Sequence, residues 1–143
     1  MDLNRFAEFE TAIDPGWMDY NNHLNDASYA KVLSLANELF LDKLELGELY
    51  RRQTGASLYT VDLQISYRAE VSGEDLLRAQ SHISFLEPNK LEITTELLRS
   101  DGVVAAIGKV RYVHFDSYSK SVTKFPNEKF LAISLWNKID TTD

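Results

Sequence analysis

One stretch decides what this chain can fold around. From Asn25 to Gly47, Tyr29, Leu33, Ala36, Phe40 and Leu44 recur close to helical spacing, and Val32, Leu35 and Leu39 widen the stripe. Lys31, Ser34, Asn37, Glu38 and Asp42 mark the opposite side. An apolar face this broad must be buried against a sheet. Asn25 is placed to cap the helix start and Gly47 its end.

The flanking sequence supplies that sheet. From Phe6 to Ile13, Ala7, Phe9, Thr11 and Ile13 share one period-2 face, and Pro15 and Gly16 end the strand. After a loop or irregular helical turn over Glu48–Ala56, Val61, Leu63, Ile65 and Tyr67 alternate with Asp62, Gln64, Ser66 and Arg68 as a second, half-buried strand. A third is expected from Leu76 to Leu86, a fourth from Leu91 to Arg99 and a fifth from Val103 to Phe115. The Asp101-Gly102 pair joins the last two as a hairpin. The second to fourth strands succeed one another and are expected to be antiparallel. Beyond Pro126, Phe130, Ile133, Leu135 and Trp136 suit a short helix, although the same run permits a strand. The strands lie too close together for crossover helices, which excludes a doubly wound sheet. The expectation is an α+β fold in a single domain over residues 1–143, with an antiparallel sheet curved around one helix.

Composition narrows the function. A net charge of -7, with 15 Lys and Arg spread thinly, disfavours a nucleic-acid surface. With no cysteine, disulfides, thiolate nucleophiles and Cys-ligated metals are excluded. No signal-peptide pattern opens the chain, and no apolar run reaches the roughly 18 residues of a membrane span. A soluble, cytoplasmic protein with no membrane partner is expected. A chain this short leaves enough surface that a partner subunit over an apolar face is expected too.

Chemistry concentrates just before the long helix. Asp19 to Asp26 holds three asparagines, two aspartates and His23. Asp19 precedes a helix start, where unpaired N–H groups create positive potential. A carbonyl bound there would be polarised, and a nearby carboxylate could attack its carbon or deprotonate water. Alternatively, Asp19 caps local backbone. His23 can orient substrate or brace the loop, and Asn21 and Asn25 can position water or serve as turn and cap residues. Asp62, on the polar face of its strand, is a candidate second carboxylate. The histidines lack metal-ligand spacing, and no nucleophile elbow, phosphate loop or dinucleotide fingerprint is present. No metal or cofactor is expected.

The segment "DYNNHLNDASY", Asp19 to Tyr29, resembles the Asp-x-x-Gly-His-Val-Asn-Asn-x-x-Tyr pattern of hotdog-fold thioesterases of the 4-hydroxybenzoyl-CoA thioesterase type. The resemblance puts the family's catalytic Asp at Asp19, its histidine at His23, its helix-entry Asn at Asn25 and its aromatic at Tyr29. Asp19, Asn21 and His23 also resemble the Asp-x-Asn-x-His arrangement of acyl-carrier-protein thioesterases. A closer resemblance is to small thioesterases of carnitine breakdown and betainyl-CoA hydrolysis. Their "DYNGHMNDAYY", "YTVE" and "HVD" are similar to this loop, to "YTVD" (Tyr59–Asp62) and to "HFD" (His114–Asp116). The likeness covers about Ile13 to Pro126. Asn22 stands where the family has Gly, Asp26 where it has a second Asn, and Asp62 where the related group has Glu.

The resemblance implies a hotdog fold: a five-stranded antiparallel sheet wrapped around one long central helix. It also implies homodimers, or dimers of dimers, with sites between subunits. The implied activity is acyl-CoA hydrolysis, with CoA entering as part of the substrate. Asp19 is then nucleophile or general base, helped by His23, Asn21 and Asn25. Trp17, Tyr20, Tyr29 and Tyr59 are candidates for the acyl group and Arg51, Arg52 and Lys90 for the CoA phosphates. The alternatives are an acyl-carrier-protein thioesterase and a non-catalytic acyl-CoA-binding protein.

Overall fold

The computed structural model describes residues 7–137. Phe6, expected to open the first strand, lies outside them. The elements are β1 (Ala7–Ala12), a 3-10 turn (Pro15–Trp17), α1 (Asp26–Lys43), α2 (Glu48–Thr54), β2 (Ala56–Tyr67), β3 (Leu76–Glu87), β4 (Lys90–Leu98), β5 (Val104–Asp116), β6 (Ser121–Val122) and α3 (Asn127–Ser134). The tail after Pro126 is therefore helical through Ser134.

All strand pairs within the sheet are antiparallel, in the order β1-β3-β4-β5-β2, with β6 extending β5. The hairpin of β4 and β5 forms as expected. The pairing expected along the second to fourth strands does not hold throughout, because β2 pairs with β5 and not with β3. The chain crosses the sheet between these strands, so sequence succession does not give spatial succession here. β2 is also longer than the periodicity suggested, and a register shift between Thr60 and Asp62 interrupts its alternation.

The helix α1 lies on one face of this curled sheet and buries Tyr29, Val32, Leu33, Ala36 and Phe40. Its close approach depends on Gly108 of β5, where a Cβ would run into the Leu33 side chain. Leu33 is almost wholly buried, so Leu33→Ala should cost about 2 to 5 kcal/mol in a denaturant titration.

Two residues on α1 depart from the simple stripe. Asn37, assigned to the polar side, is 2% exposed, and Leu39, assigned to the apolar side, is 48% exposed. Asn37 is held in the core by polar partners: its Nδ2 donates to the Tyr112 hydroxyl at 3.0 Å, and its Oδ1 accepts from Thr95 at 3.5 Å. Thr95 meets Ser81 at 2.7 Å, so helix and sheet share a buried polar chain. Burial raises the Tyr112 phenol above its usual range.

Gly47 does not cap the end of α1. α1 ends at Lys43, and Glu45 takes the left-handed conformation (φ 58°) with its N–H bonded to the Asp42 carbonyl, while Leu46 N–H reaches Leu41. That is a Schellman closure, with a non-glycine residue at the left-handed position. Gly47 instead opens α2, a regular helix where a loop or irregular turn was expected, and Gly55 (φ 81°) closes it.

Candidate active site

The loop before α1 is built by local hydrogen bonds. Asp19 Oδ1 accepts from the backbone N–H of Asn21 at 2.8 Å and of His23 at 3.2 Å. Asp19 N–H donates to the His23 carbonyl at 2.8 Å. These bonds wrap the loop around one carboxylate oxygen, leaving Oδ2 outside the clamp. Asn22 sits at φ 61°, the left-handed position that a glycine fills in the resembling family and that Asn tolerates better than most residues. Backbone bridges from Met18 to Leu24 and from His23 to Ser72 fasten the loop to the rest of the fold.

Asn25 caps α1, its Oδ1 accepting from Ser28 N–H at 2.9 Å. This points the positive end of an 18-residue helix toward the loop. The end of β2 lies opposite. Tyr67 donates its hydroxyl to the Asp26 carbonyl at 3.1 Å, and Tyr29 reaches the Ala69 carbonyl at 3.4 Å. The Tyr29 and Tyr67 rings meet edge to face, 5.0 Å apart at 89°. Burial, followed by the neighbouring Tyr67 and Glu70, raises the Tyr29 phenol, while Arg99 opposes the rise.

Between these elements lies a pocket of about 640 Å³, lined by Asp19, His23, Leu24, Asn25, Asp26, Tyr29, Tyr67, Arg68, Ala69 and Glu70. His23 Nε2 stands 3.5 Å from Glu70 Oε2 across its lip. Within one chain the fold thus gathers Asp19, His23, Asn25 and Tyr29.

The other candidates do not line this pocket. Asn21 contributes its backbone to the loop, and Tyr20 is 97% exposed. Trp17 packs against the apolar cluster around Leu33 and Val71. Tyr59 stacks on Phe115 with ring centres 4.4 Å apart. Asp62 accepts from Gln64 at 3.2 Å and stands opposite Arg111, on the sheet face turned away from α1. Arg51 and Arg52 are exposed on α2, where Arg52 pairs with Glu48 at 3.6 Å, and Lys90 begins β4 opposite Glu87 and Val113.

Tyr67, Arg68 and Glu70 were not foreseen as pocket residues. Tyr67 and Arg68 belong to an alternation that signals a strand, Glu70 lies just beyond it, and only the pairing of β2 with β5 brings this end of the strand to the helix entry.

Comparison with known proteins bears on this arrangement. The thioesterase-like superfamily matches residues 13–133. An L-carnitine dehydrogenase/betainyl-CoA thioesterase of Agrobacterium fabrum is 29% identical over 117 residues, which is 82% of this chain and 24% of that protein. A betainyl-CoA thioesterase of Pseudomonas aeruginosa is 31% identical over 93 residues, 65% of this chain and 50% of its own length. The chain therefore spans half or less of these curated relatives. A hypothetical protein of Staphylococcus aureus, solved in complex with CoA, superposes with a TM-score of 0.91 at 22% identity, over 100% of this chain and 90% of that one. That likeness carries the hotdog fold. With the family match covering most of its length, the chain belongs to the thioesterase-like superfamily.

Proposed function

We propose that this protein hydrolyses an acyl-CoA thioester to a free acid and CoA, with Asp19 as the acting carboxylate. One observation carries the reading: Asp19 is clamped through Oδ1 at a pocket wall beside the entry of α1. A thioester carbonyl directed at that entry gains from the helix potential as charge builds on its oxygen. Asp19 can then act in either of two ways. Its Oδ2 attacks the carbonyl carbon and expels the CoA thiolate, and water hydrolyses the resulting anhydride. Otherwise Asp19 takes a proton from water as that water attacks, and the thiolate leaves and is protonated. His23, tied to Glu70 across the lip, orients the reacting groups.

A second copy completes the site in this proposal. Among the described residues one edge of β2 is unpaired, and Val61, Leu63 and Tyr67 along it are 56%, 46% and 51% exposed. A long apolar edge left open invites pairing with another strand. Antiparallel pairing about Leu63 sets Asp62 beside Gln64 of the partner subunit, whereas pairing about Asp62 would oppose two carboxylates. The first register brings the start of the partner's β2, and the partner's Arg51 and Arg52 before it, toward the pocket. Those arginines then suit CoA phosphates. Leu63→Glu should yield monomers by light scattering with reduced turnover, and an unchanged dimer would contradict this edge.

The test of the reaction is steady-state hydrolysis across short, medium, aromatic and quaternary-ammonium acyl-CoAs, with Asp19→Asn alongside. Single turnover in ¹⁸O-labelled water tests the nucleophile route: water attack at the Asp19 carboxyl carbon of the anhydride leaves the label in Asp19 and passes an unlabelled Asp19 oxygen to the acid, whereas general-base hydrolysis places the label in the acid alone. No turnover with any acyl-CoA would return the chain to a binding role.

A further inference from the structure

We infer that Arg99, beside the turn between β4 and β5, is a positioning residue for the reaction: it fixes the backbone at Glu70, and through Glu70 the ring of His23. This rests on the thioesterase reading of the same pocket. Arg99 does not line the pocket, but its side chain is held as a rigid fork. Asp101 accepts from Arg99 Nε at 3.1 Å and from Nη2 at 2.6 Å, and the same carboxylate accepts from Val103 N–H at 3.1 Å. These bonds, those from Arg99 foremost, hold the Asp101 carboxyl down at about 2, so the pair stays ionised near neutral pH. The remaining arm, Nη1, donates to the Glu70 carbonyl at 3.0 Å, across 29 residues of chain. A clamp serving the hairpin alone needs Asp101 and has no use for that third bond.

The bond matters because the pocket wall at Glu70 lies beyond the regular sheet. β2 ends at Tyr67. After it, Arg68 N–H and Ala69 N–H both turn to the Ala105 carbonyl, at 2.8 and 3.0 Å. The Ala69 carbonyl accepts the Tyr29 hydroxyl at 3.4 Å, and the Val71 carbonyl accepts Leu24 N–H at 2.8 Å. Between these two, Arg99 holds the Glu70 carbonyl. A planar guanidinium already gripped on one side loses little freedom in making that bond, and a charged donor makes it a strong one. The Glu70 carboxylate in turn meets His23 Nε2 at 3.5 Å, a separation at which a small backbone displacement decides whether the contact survives. The Arg99 charge also reaches the pocket, where it opposes the rise of the Tyr29 phenol.

The test measures kcat and KM for acyl-CoA hydrolysis in Arg99→Gln, Glu70→Gln and the double variant, beside their urea midpoints. Glutamine is too short to reach the Glu70 carbonyl. Arg99→Gln should lower kcat by about tenfold with KM within about twofold of native, and Glu70→Gln should do the same. The double variant should fall no further than Glu70→Gln alone, whereas a merely structural Arg99 makes the two losses multiply. Arg99→Lys, which restores a donor to the carbonyl, should recover most of kcat. Native kcat in folded Arg99→Gln, or losses that multiply, overturns the assignment. Should Arg99→Gln fail to fold, Asp101→Asn, which weakens the grip on the guanidinium, is read against Glu70→Gln by the same rule. If no acyl-CoA is hydrolysed, the thioesterase reading fails, and the positioning of His23 is judged separately by the NMR shift of its ring Hε1 proton. A signal displaced alike by Arg99→Gln and Glu70→Gln supports it, and a signal that Arg99→Gln leaves at its native position overturns it.

Discussion

Two histidines, His23 and His114, sit in polar clusters within one small domain, and their surroundings differ in nearly every respect. The His23 side chain is 40% exposed at a pocket, and its ring faces Glu70 at a long 3.5 Å. His114 is 3% exposed, and both ring nitrogens are bonded: Nε2 to the Tyr50 hydroxyl at 2.9 Å and Nδ1 to the Thr123 carbonyl at 3.0 Å. Because a carbonyl can only accept, Nδ1 carries the proton and Nε2 accepts from Tyr50. Phe125 packs on the same ring at 4.9 Å. His114 therefore ties β5 to α2 and to the segment after β6, while His23 keeps hydrogen-bonding capacity for something that enters. A polar residue is thus a candidate for chemistry when its bonding is incomplete at a cavity, not because it is polar.

The strongest way to break this contrast is to remove the buried ring. His114→Ala leaves a cavity and an orphaned Tyr50 hydroxyl, and should destabilise the protein by about 3 kcal/mol in urea titrations. His23→Ala should leave the urea midpoint nearly unchanged and act on turnover instead. Asn37→Ala should follow closely, at about 2 kcal/mol, because the Tyr112 hydroxyl and Thr95 lose a shared partner in the core.

A smaller effect depends on pH. Burial pushes the His114 imidazole below its ordinary value, with the Thr123 bond and Asp116 opposing the shift in part. Its folded pKa therefore lies under the unfolded value of about 6.5, so the stability from the neutral ring is complete above that pH. It is lost as pH falls through the folded pKa. Urea midpoints between pH 7.5 and 5 should decline for the native protein and flatten in His114→Gln. Smallest of all is the exposed pair of Arg52 and Glu48, where Arg52→Ala should shift stability by under about 0.5 kcal/mol.

Much of the fold was legible because burial leaves a periodic trace. The α1 stripe, the β4 and β5 hairpin and the Asn25 cap all rest on local chemistry. What escaped was set by distant contacts. Asn37 looks like a surface residue until Tyr112 and Thr95 arrive from two strands, and β2 looks half-buried until its place at the sheet edge leaves Leu63 open. The same holds for the pocket. Asp19, His23, Asn25 and Tyr29 lie within one motif and could be singled out together, but Tyr67 and Glu70 reach them only through the strand order.

The central claim is that the carboxylate of Asp19 performs the reaction at the entry of α1. Asp19→Asn tests it most directly, because Asn keeps an Oδ1 able to accept from Asn21 and His23 and so preserves the loop. The decisive measurement is kcat/KM for acyl-CoA hydrolysis by this variant beside its urea midpoint. Asp19→Asn should lose at least about a hundredfold in kcat/KM, with stability changed by under about 1 kcal/mol. Hydrolysis at the native rate in a folded Asp19→Asn protein would contradict it.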